Sequence, residues 1–77
     1  MRIIDTIPHE SMTISIFQMN DKFMVKFEAG MMEQCFKFTT DEVVNLAGLK
    51  ARINEEFISK TRNRFNDMFH QIQDTRV

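Results

Sequence analysis

The chain has 77 residues, 43% of them hydrophobic, and a formal net charge of −1 at pH 7. A chain of this length folds as one domain, close to the lower limit for a single hydrophobic core. We therefore expect residues 1–77 to form a single small domain. The nearly balanced charge argues against general electrostatic attraction to nucleic acid, which is not the expected partner.

The cysteine count and the length of the apolar runs indicate in which cellular compartment the protein is expected. Cys35 is the only cysteine, which excludes an internal disulfide and a cysteine-rich metal site. One thiol without a disulfide framework is typical of a reducing compartment. Asp5 and Pro8 interrupt the N-terminal region before the apolar run of a signal peptide, and no stretch approaches the roughly 18 apolar residues of a membrane span. We expect a cytoplasmic protein that does not associate with membranes.

Apolar and polar residues alternate almost without interruption from Met12 to Phe38. This period of two predicts β-strands, because successive side chains of a strand point to opposite faces. We predict three strands, over residues 12–19, 23–28 and 32–38. Residues 2–7 form either a fourth strand or an extended arm. The short connections between the three strands predict an antiparallel meander.

The alternation also predicts the register of the first hairpin. With residues 20–21 at the centre of the turn, Ile16 lies opposite Val25 and Ile14 lies opposite Phe27. One face of the hairpin is then apolar and the other is mixed, as a sheet covered on one side requires.

The second turn surrounds the only glycine of the sheet region, and two registers are open there. With residues 29–30 at the centre, Lys26 pairs with Glu33. With residues 30–31 at the centre, Glu28 lies opposite Glu33. We favour the first register, because like charges directly opposite each other are destabilising whereas opposite charges stabilise the pair.

After the strands the apolar period changes to three- and four-residue steps, which predicts helices. Thr39 and Glu42 have the spacing of a capping box. We predict a short helix near residues 40–47, a break or kink at Gly48 and a long helix over residues 50–73. The predicted fold class is α+β, with the three-stranded meander, and the fourth strand if it forms, packed on one face against the long helix. The predicted core consists of Ile14, Ile16, Phe23, Val25, Phe27, Phe36, Phe38, Val43, Leu46, Leu49, Ile53 and Phe57.

Residues that carry catalytic or metal chemistry are few. A zinc site needs three or four ligands, and His9 and His70 are two isolated histidines. Cys35 has no neighbouring histidine to act as its base, so an inert thiol on a sheet face is the favoured interpretation. We predict no catalytic residue, no cofactor site and no metal ligand, and an enzyme is the least favoured class of function.

The densest basic cluster is Lys60, Arg62 and Arg64 on the long helix. Alternate residues of a helix diverge by about 200°, so the three side chains do not share one face. A solvated helix surface is the favoured interpretation. Weak nucleic-acid binding through this helix is the alternative function.

Methionine is frequent, and three methionines fall on the outer face of the predicted sheet. Met19, Met24 and Met31, together with Phe17, form a secondary apolar patch. Methionine-rich surfaces adapt to different partners, so the patch is either a contact surface or a surface covered by residues 2–7.

The long helix predicts a second, larger interface. Residues 50–73 span about 36 Å as a helix, whereas strands of six to eight residues reach about 20–26 Å. The last turns should therefore extend beyond the sheet with the stripe Phe65, Met68, Phe69 and Ile72. Packing of this stripe on a second copy predicts a homodimer. The competing interpretation is a bend that folds the stripe back onto the N-terminal arm.

No motif identifies a biological process. The leading hypothesis is a small intracellular, non-catalytic interaction or assembly module that associates with itself through its C-terminal helix. Nucleic-acid binding is the rival hypothesis.

Overall fold

The computed structural model describes residues 2–76, which form four strands followed by three helices. Each strand pairs with its neighbour in the chain, so the sheet is an antiparallel meander with the order β1-β2-β3-β4. Residues 2–7 form the fourth strand, and the predicted α+β fold with an antiparallel sheet is confirmed. The strands are β1 (Arg2–Ile7), β2 (Thr13–Met19), β3 (Lys22–Ala29) and β4 (Met32–Thr39).

The first hairpin has the predicted register. Ile16 lies opposite Val25 and Ile14 lies opposite Phe27. Asn20 begins the turn with a φ of +48°, a left-handed conformation that asparagine tolerates better than most residues.

The register predicted for the second hairpin is wrong. Residues 30–31 occupy the turn, and Glu28 lies opposite Glu33. The Lys26 ammonium lies 3.6 Å from a carboxylate oxygen of Glu28 and 3.9 Å from one of Glu33, so one cation offsets the repulsion between the two anions. Gly30 takes the first turn position with a φ of +62°, which glycine adopts without the steric cost of a side chain.

Three helices follow β4, and the break predicted at Gly48 is wrong. Gly48 lies inside the second helix, and the chain breaks instead at residues 44–45 and 53–54. The Asn45 side chain accepts a hydrogen bond from the Gly48 amide at 2.8 Å, and Asn54 accepts one from the Phe57 amide at 3.0 Å. Each asparagine therefore starts a new helix as its N-cap. The helices are α1 (Thr40–Val43), α2 (Leu46–Arg52) and α3 (Glu55–Thr75).

The junction between α1 and α2 is a tight turn. Val44 has a φ of +69° and a ψ of −55°, and the Asn45 amide donates to the Val43 carbonyl at 2.7 Å. These values describe a classical γ-turn, a strained conformation that is rare for a β-branched residue. The turn brings the Val43 carbonyl against Gly48, where a β-carbon would overlap it. Gly48 is thus a site of close backbone approach.

The core lies between the sheet and the helices. All twelve residues of the predicted core belong to it, eight of them buried and four partly buried. Phe27 is fully buried at its centre. Its ring centroid lies 5.7 Å from that of Phe36 and 5.8 Å from that of Phe57. Met12 and Phe65 are buried in the same core, although the sequence pattern did not place them there.

A salt bridge connects the N-terminal edge of the sheet to α2. The Lys50 ammonium binds the Asp5 carboxylate, which also accepts a hydrogen bond from the Thr6 amide at 2.8 Å. The bond from Lys50, followed by that from Thr6, lowers the pKa of Asp5 below its ordinary value of 3.8.

We expect this salt bridge to make stability depend on pH in the acid range. A carboxylate whose pKa is lower in the folded state stabilises the fold above its unfolded pKa, and this contribution is lost as the pH falls through the folded pKa. Asp5→Asn should therefore be less stable than the wild type near neutral pH, and the difference should shrink as the pH falls below about 4. Urea unfolding at a series of pH values measures the difference. Asp67→Asn on the exposed side of α3 serves as the matched control, and an Asp5→Asn difference that does not change with pH would contradict the expectation.

Candidate functional site

The predicted interface stripe on α3 is divided between the core and the surface. Phe65 is only 5% exposed and Met68 packs against the core, whereas Phe69 is 49% exposed and Ile72 is half-buried. The prediction that Phe65 lies on a free surface is therefore wrong. The second break, at residues 53–54, turns α3 so that the first part of the stripe lies on the sheet.

One hydrogen bond from β4 and the burial of Thr61 place the middle of α3 against the sheet. Thr61 is fully buried, and its hydroxyl donates to the Phe57 carbonyl at 3.1 Å. The side-chain amide of Gln34 on β4 donates to the Thr61 carbonyl at 3.0 Å. The buried Thr61 and its bond to Gln34 place the middle of α3 next to β4.

The last turns of α3 reach the turn between β3 and β4. The Arg76 guanidinium lies 3.0 Å from the Met31 sulfur, and Met31 is 72% exposed. The molecule measures 45 × 24 × 19 Å, and the 21 residues of α3 account for about 32 Å of helix. We call three apolar side chains at this end the distal surface: the exposed Met31 and Phe69 and the half-buried Ile72.

The outer face of the sheet carries a second apolar row. Ile3 lies opposite Phe17, which lies opposite Met24 on the next strand. Met19 is half-buried two residues after Phe17. We call Ile3, Phe17, Met19 and Met24 the outer-face patch, of which Met24 is buried and Phe17 is half-buried. The Lys26 ammonium lies 5.5 Å from the centre of the Phe17 ring, within the range of a cation–π interaction.

The outer-face patch shares three residues with the predicted secondary patch and contains Ile3 instead of Met31. Met31 lies in the β3–β4 turn, at the opposite end of the sheet from the turn that follows Met19. Ile3 takes its place and is 58% exposed, whereas Ile4 and Ile7 pack against the core. Residues 2–7 therefore extend the sheet at its edge.

The basic residues Lys60 and Arg62 of α3 have different neighbours. The Lys60 ammonium lies 3.3 Å from a carboxylate oxygen of Glu56 one turn earlier. Arg62 lines a groove of about 430 Å³ between α3 and the loop after β1. His9 lines the same groove, and its Nδ1 accepts a hydrogen bond from the Ser11 amide at 3.1 Å.

The chain has no recognisable similarity from which a site could be inferred. No family model, curated protein or solved structure matches the chain. Among residues 2–76, no group of three or more His, Cys, Asp or Glu side chains is arranged to hold a metal ion. None of the helices in that range combines the length and the apolar character needed to cross a bilayer. Cys35 is exposed on the outer face, and the geometry leaves the two apolar surfaces as the candidates for function.

Proposed function

We propose that this chain is a small, non-catalytic interaction or assembly module that forms a homodimer through the distal surface. The observation that carries the proposal is Phe69, a large apolar side chain left half exposed one helical turn before the half-buried Ile72. Full burial of a Phe or Ile side chain contributes about 1.5–3 kcal/mol, which a domain of this size gains by covering the surface. Twofold pairing is the commonest arrangement for two copies.

The cytoplasm is the compartment that we propose for this module. The thiol of Cys35 is exposed, and a reducing compartment keeps such a thiol from oxidation. A homodimer that forms there needs no disulfide to hold its copies together.

Two substitutions on the last turns of α3 test the homodimer. Phe69→Glu and Ile72→Glu, made together, should lower the solution mass and leave far-UV circular dichroism unchanged, because neither side chain is fully buried. Sedimentation equilibrium at several protein concentrations measures the mass. Gln71→Glu and Gln73→Glu, made together, add the same charge at exposed positions of the same helix and should leave the mass unchanged. A wild type that stays monomeric at the highest concentration would refute the homodimer.

Weak nucleic-acid binding through Lys60, Arg62 and Arg64 is the alternative. Lys60 is already paired with Glu56, and the chain carries a net charge of −1, so the first proposal has the better support. A titration with mixed DNA and RNA at low salt separates the two. Micromolar binding that weakens steeply with added salt would favour the alternative.

A further inference from the structure

The strand β4 forms one edge of the sheet, and half of its backbone groups point away from β3. The Thr40 amide donates to the Asp21 carbonyl on the β3 side at 3.0 Å. Because successive residues of a strand direct their amide and carbonyl groups to opposite sides, the even-numbered residues of β4 bond to β3. The groups of Glu33, Cys35 and Lys37 therefore point to the free edge.

The two edges of the sheet differ in their suitability for pairing. β1 contains an irregularity between Ile3 and Asp5 and is followed by Pro8, and both features discourage the addition of a strand. β4 has eight residues in unbroken register with β3 and contains no proline. A regular edge of this length is a template for another strand.

The charges on β4 distinguish between the registers in which it could pair with β4 of a second copy. In antiparallel pairing of β4 with a second β4, residues with free backbone groups must face each other. Centring the pair on Cys35 places Glu33 opposite Lys37 and Lys37 opposite Glu33. A shift by two residues places each charge opposite an uncharged residue, and a shift by four places Glu33 opposite Glu33 or Lys37 opposite Lys37. Only the register centred on Cys35 pairs every charge with its opposite.

We propose that β4 pairs with β4 of a second copy, antiparallel about a twofold axis at Cys35, and that the two sheets form one continuous sheet. The inference rests on the proposed self-association and assigns it a second contact besides the distal surface. A chain that uses both contacts assembles beyond a dimer, and loss of either contact leaves copies joined by the other.

The rate of disulfide formation between Cys35 of two copies tests the proposed position of the twofold axis. In the proposed pair the two Cys35 α-carbons lie about 5.5 Å apart, within the range that a disulfide bridges. Mild oxidation of the full chain with diamide should therefore link two copies rapidly. The variant Cys35→Ser with Lys22→Cys moves the thiol to an exposed position of β3, away from the axis, and should link only at the rate of random collision. Equal rates for the two proteins would overturn the proposal.

A charge-reversal series tests the register. Glu33→Lys alone or Lys37→Glu alone places like charges opposite each other on both sides of the axis, which should raise the dissociation constant of this contact about tenfold. The double variant Glu33→Lys with Lys37→Glu restores opposite charges and should return the constant close to that of the wild type. Circular dichroism checks that each variant is folded, because Glu33 also contacts Lys26 within one copy.

The outcomes separate this inference from the proposed function. If Phe69→Glu with Ile72→Glu dissociates the assembly but the charge-reversal variants leave its dissociation constant unchanged, the β4 contact is refuted and the distal surface remains the proposed interface. An assembly that follows the charge series, with rescue in the double variant, supports the β4 contact. A strictly monomeric wild type refutes both.

Discussion

Replacing Phe27 with alanine should lower the free energy of unfolding by about 3–5 kcal/mol. Phe27 is fully buried, and its ring contacts the rings of Phe36 and Phe57 in one cluster. Truncation leaves a cavity bounded by β3, β4 and α3, which the sheet cannot close without moving the helix. Small domains are stable by only a few kcal/mol, so we expect the variant to be largely unfolded at room temperature.

Far-UV circular dichroism in urea measures this loss, because the chain contains no Trp or Tyr for fluorescence. Phe36→Ala should cost less, since Phe36 lies on the edge strand and is only partly buried. Phe69→Ala, measured at a concentration where the chain is monomeric, is the control for loss of a phenylalanine from the surface. A Phe27→Ala cost no larger than that of Phe69→Ala would show that the ring cluster is not the centre of stability.

Gly48→Ala should destabilise the fold by about 1–3 kcal/mol, although alanine is the better helix former by about 1 kcal/mol. A β-carbon at this position would overlap the Val43 carbonyl. That carbonyl is fixed by the γ-turn at Val44, so the backbone must shift to admit the methyl group. The steric cost therefore outweighs the gain in helix propensity.

Ala47→Gly, at an exposed position of the same helix, is the matched control for Gly48→Ala. It should cost about 0.5–1 kcal/mol through propensity alone. Urea unfolding of the two variants compares them directly. Stabilisation by Gly48→Ala would mean that α1 and α2 separate easily at this junction.

The alternation of side chains is sufficient to predict the sheet and the first hairpin, because a shift by one residue would turn apolar side chains to solvent. It does not determine the second hairpin, where both registers keep Phe36 on the core face. The two registers differ in which charged residues lie opposite each other. Comparing only directly opposite pairs overlooks that Lys26 contacts both Glu28 and Glu33 in the observed register. The preference of glycine for the first turn position was the better signal.

The helix breaks show a second limit of the sequence pattern. The apolar steps continue through residues 44–45 and 53–54, so periodicity alone merges α2 with α3. Asn45 and Asn54 are the missed signals, since asparagine is a preferred N-cap. A single helix over residues 50–73 would extend past the sheet from its middle, so the sequence pattern places Phe65 on the surface, whereas Phe65 is buried.

The candidate surfaces were predicted only in part for a related reason. Side-chain parity assigns a residue to a face of the sheet but not to a position along it. Met31 was therefore grouped with Met19, although the two lie at opposite ends of the sheet. The sequence leaves residues 2–7 as a strand or a covering arm and therefore assigns Ile3 to no face of the sheet. The irregularity in β1 places Ile3 opposite Phe17, whereas Ile7 packs against the core.

The meander topology has a consequence for the order in which contacts form. Every strand pairs with the strand next to it in the chain, so each hairpin closes only a short loop and pays little chain entropy. The bond between Gln34 and the Thr61 carbonyl joins residues 27 positions apart and has to close a longer loop. Contacts between residues that are close in the chain, as in the hairpins, form quickly, whereas contacts between distant residues form late. Folding is therefore expected to build the sheet from its turns outward and to dock α3 last.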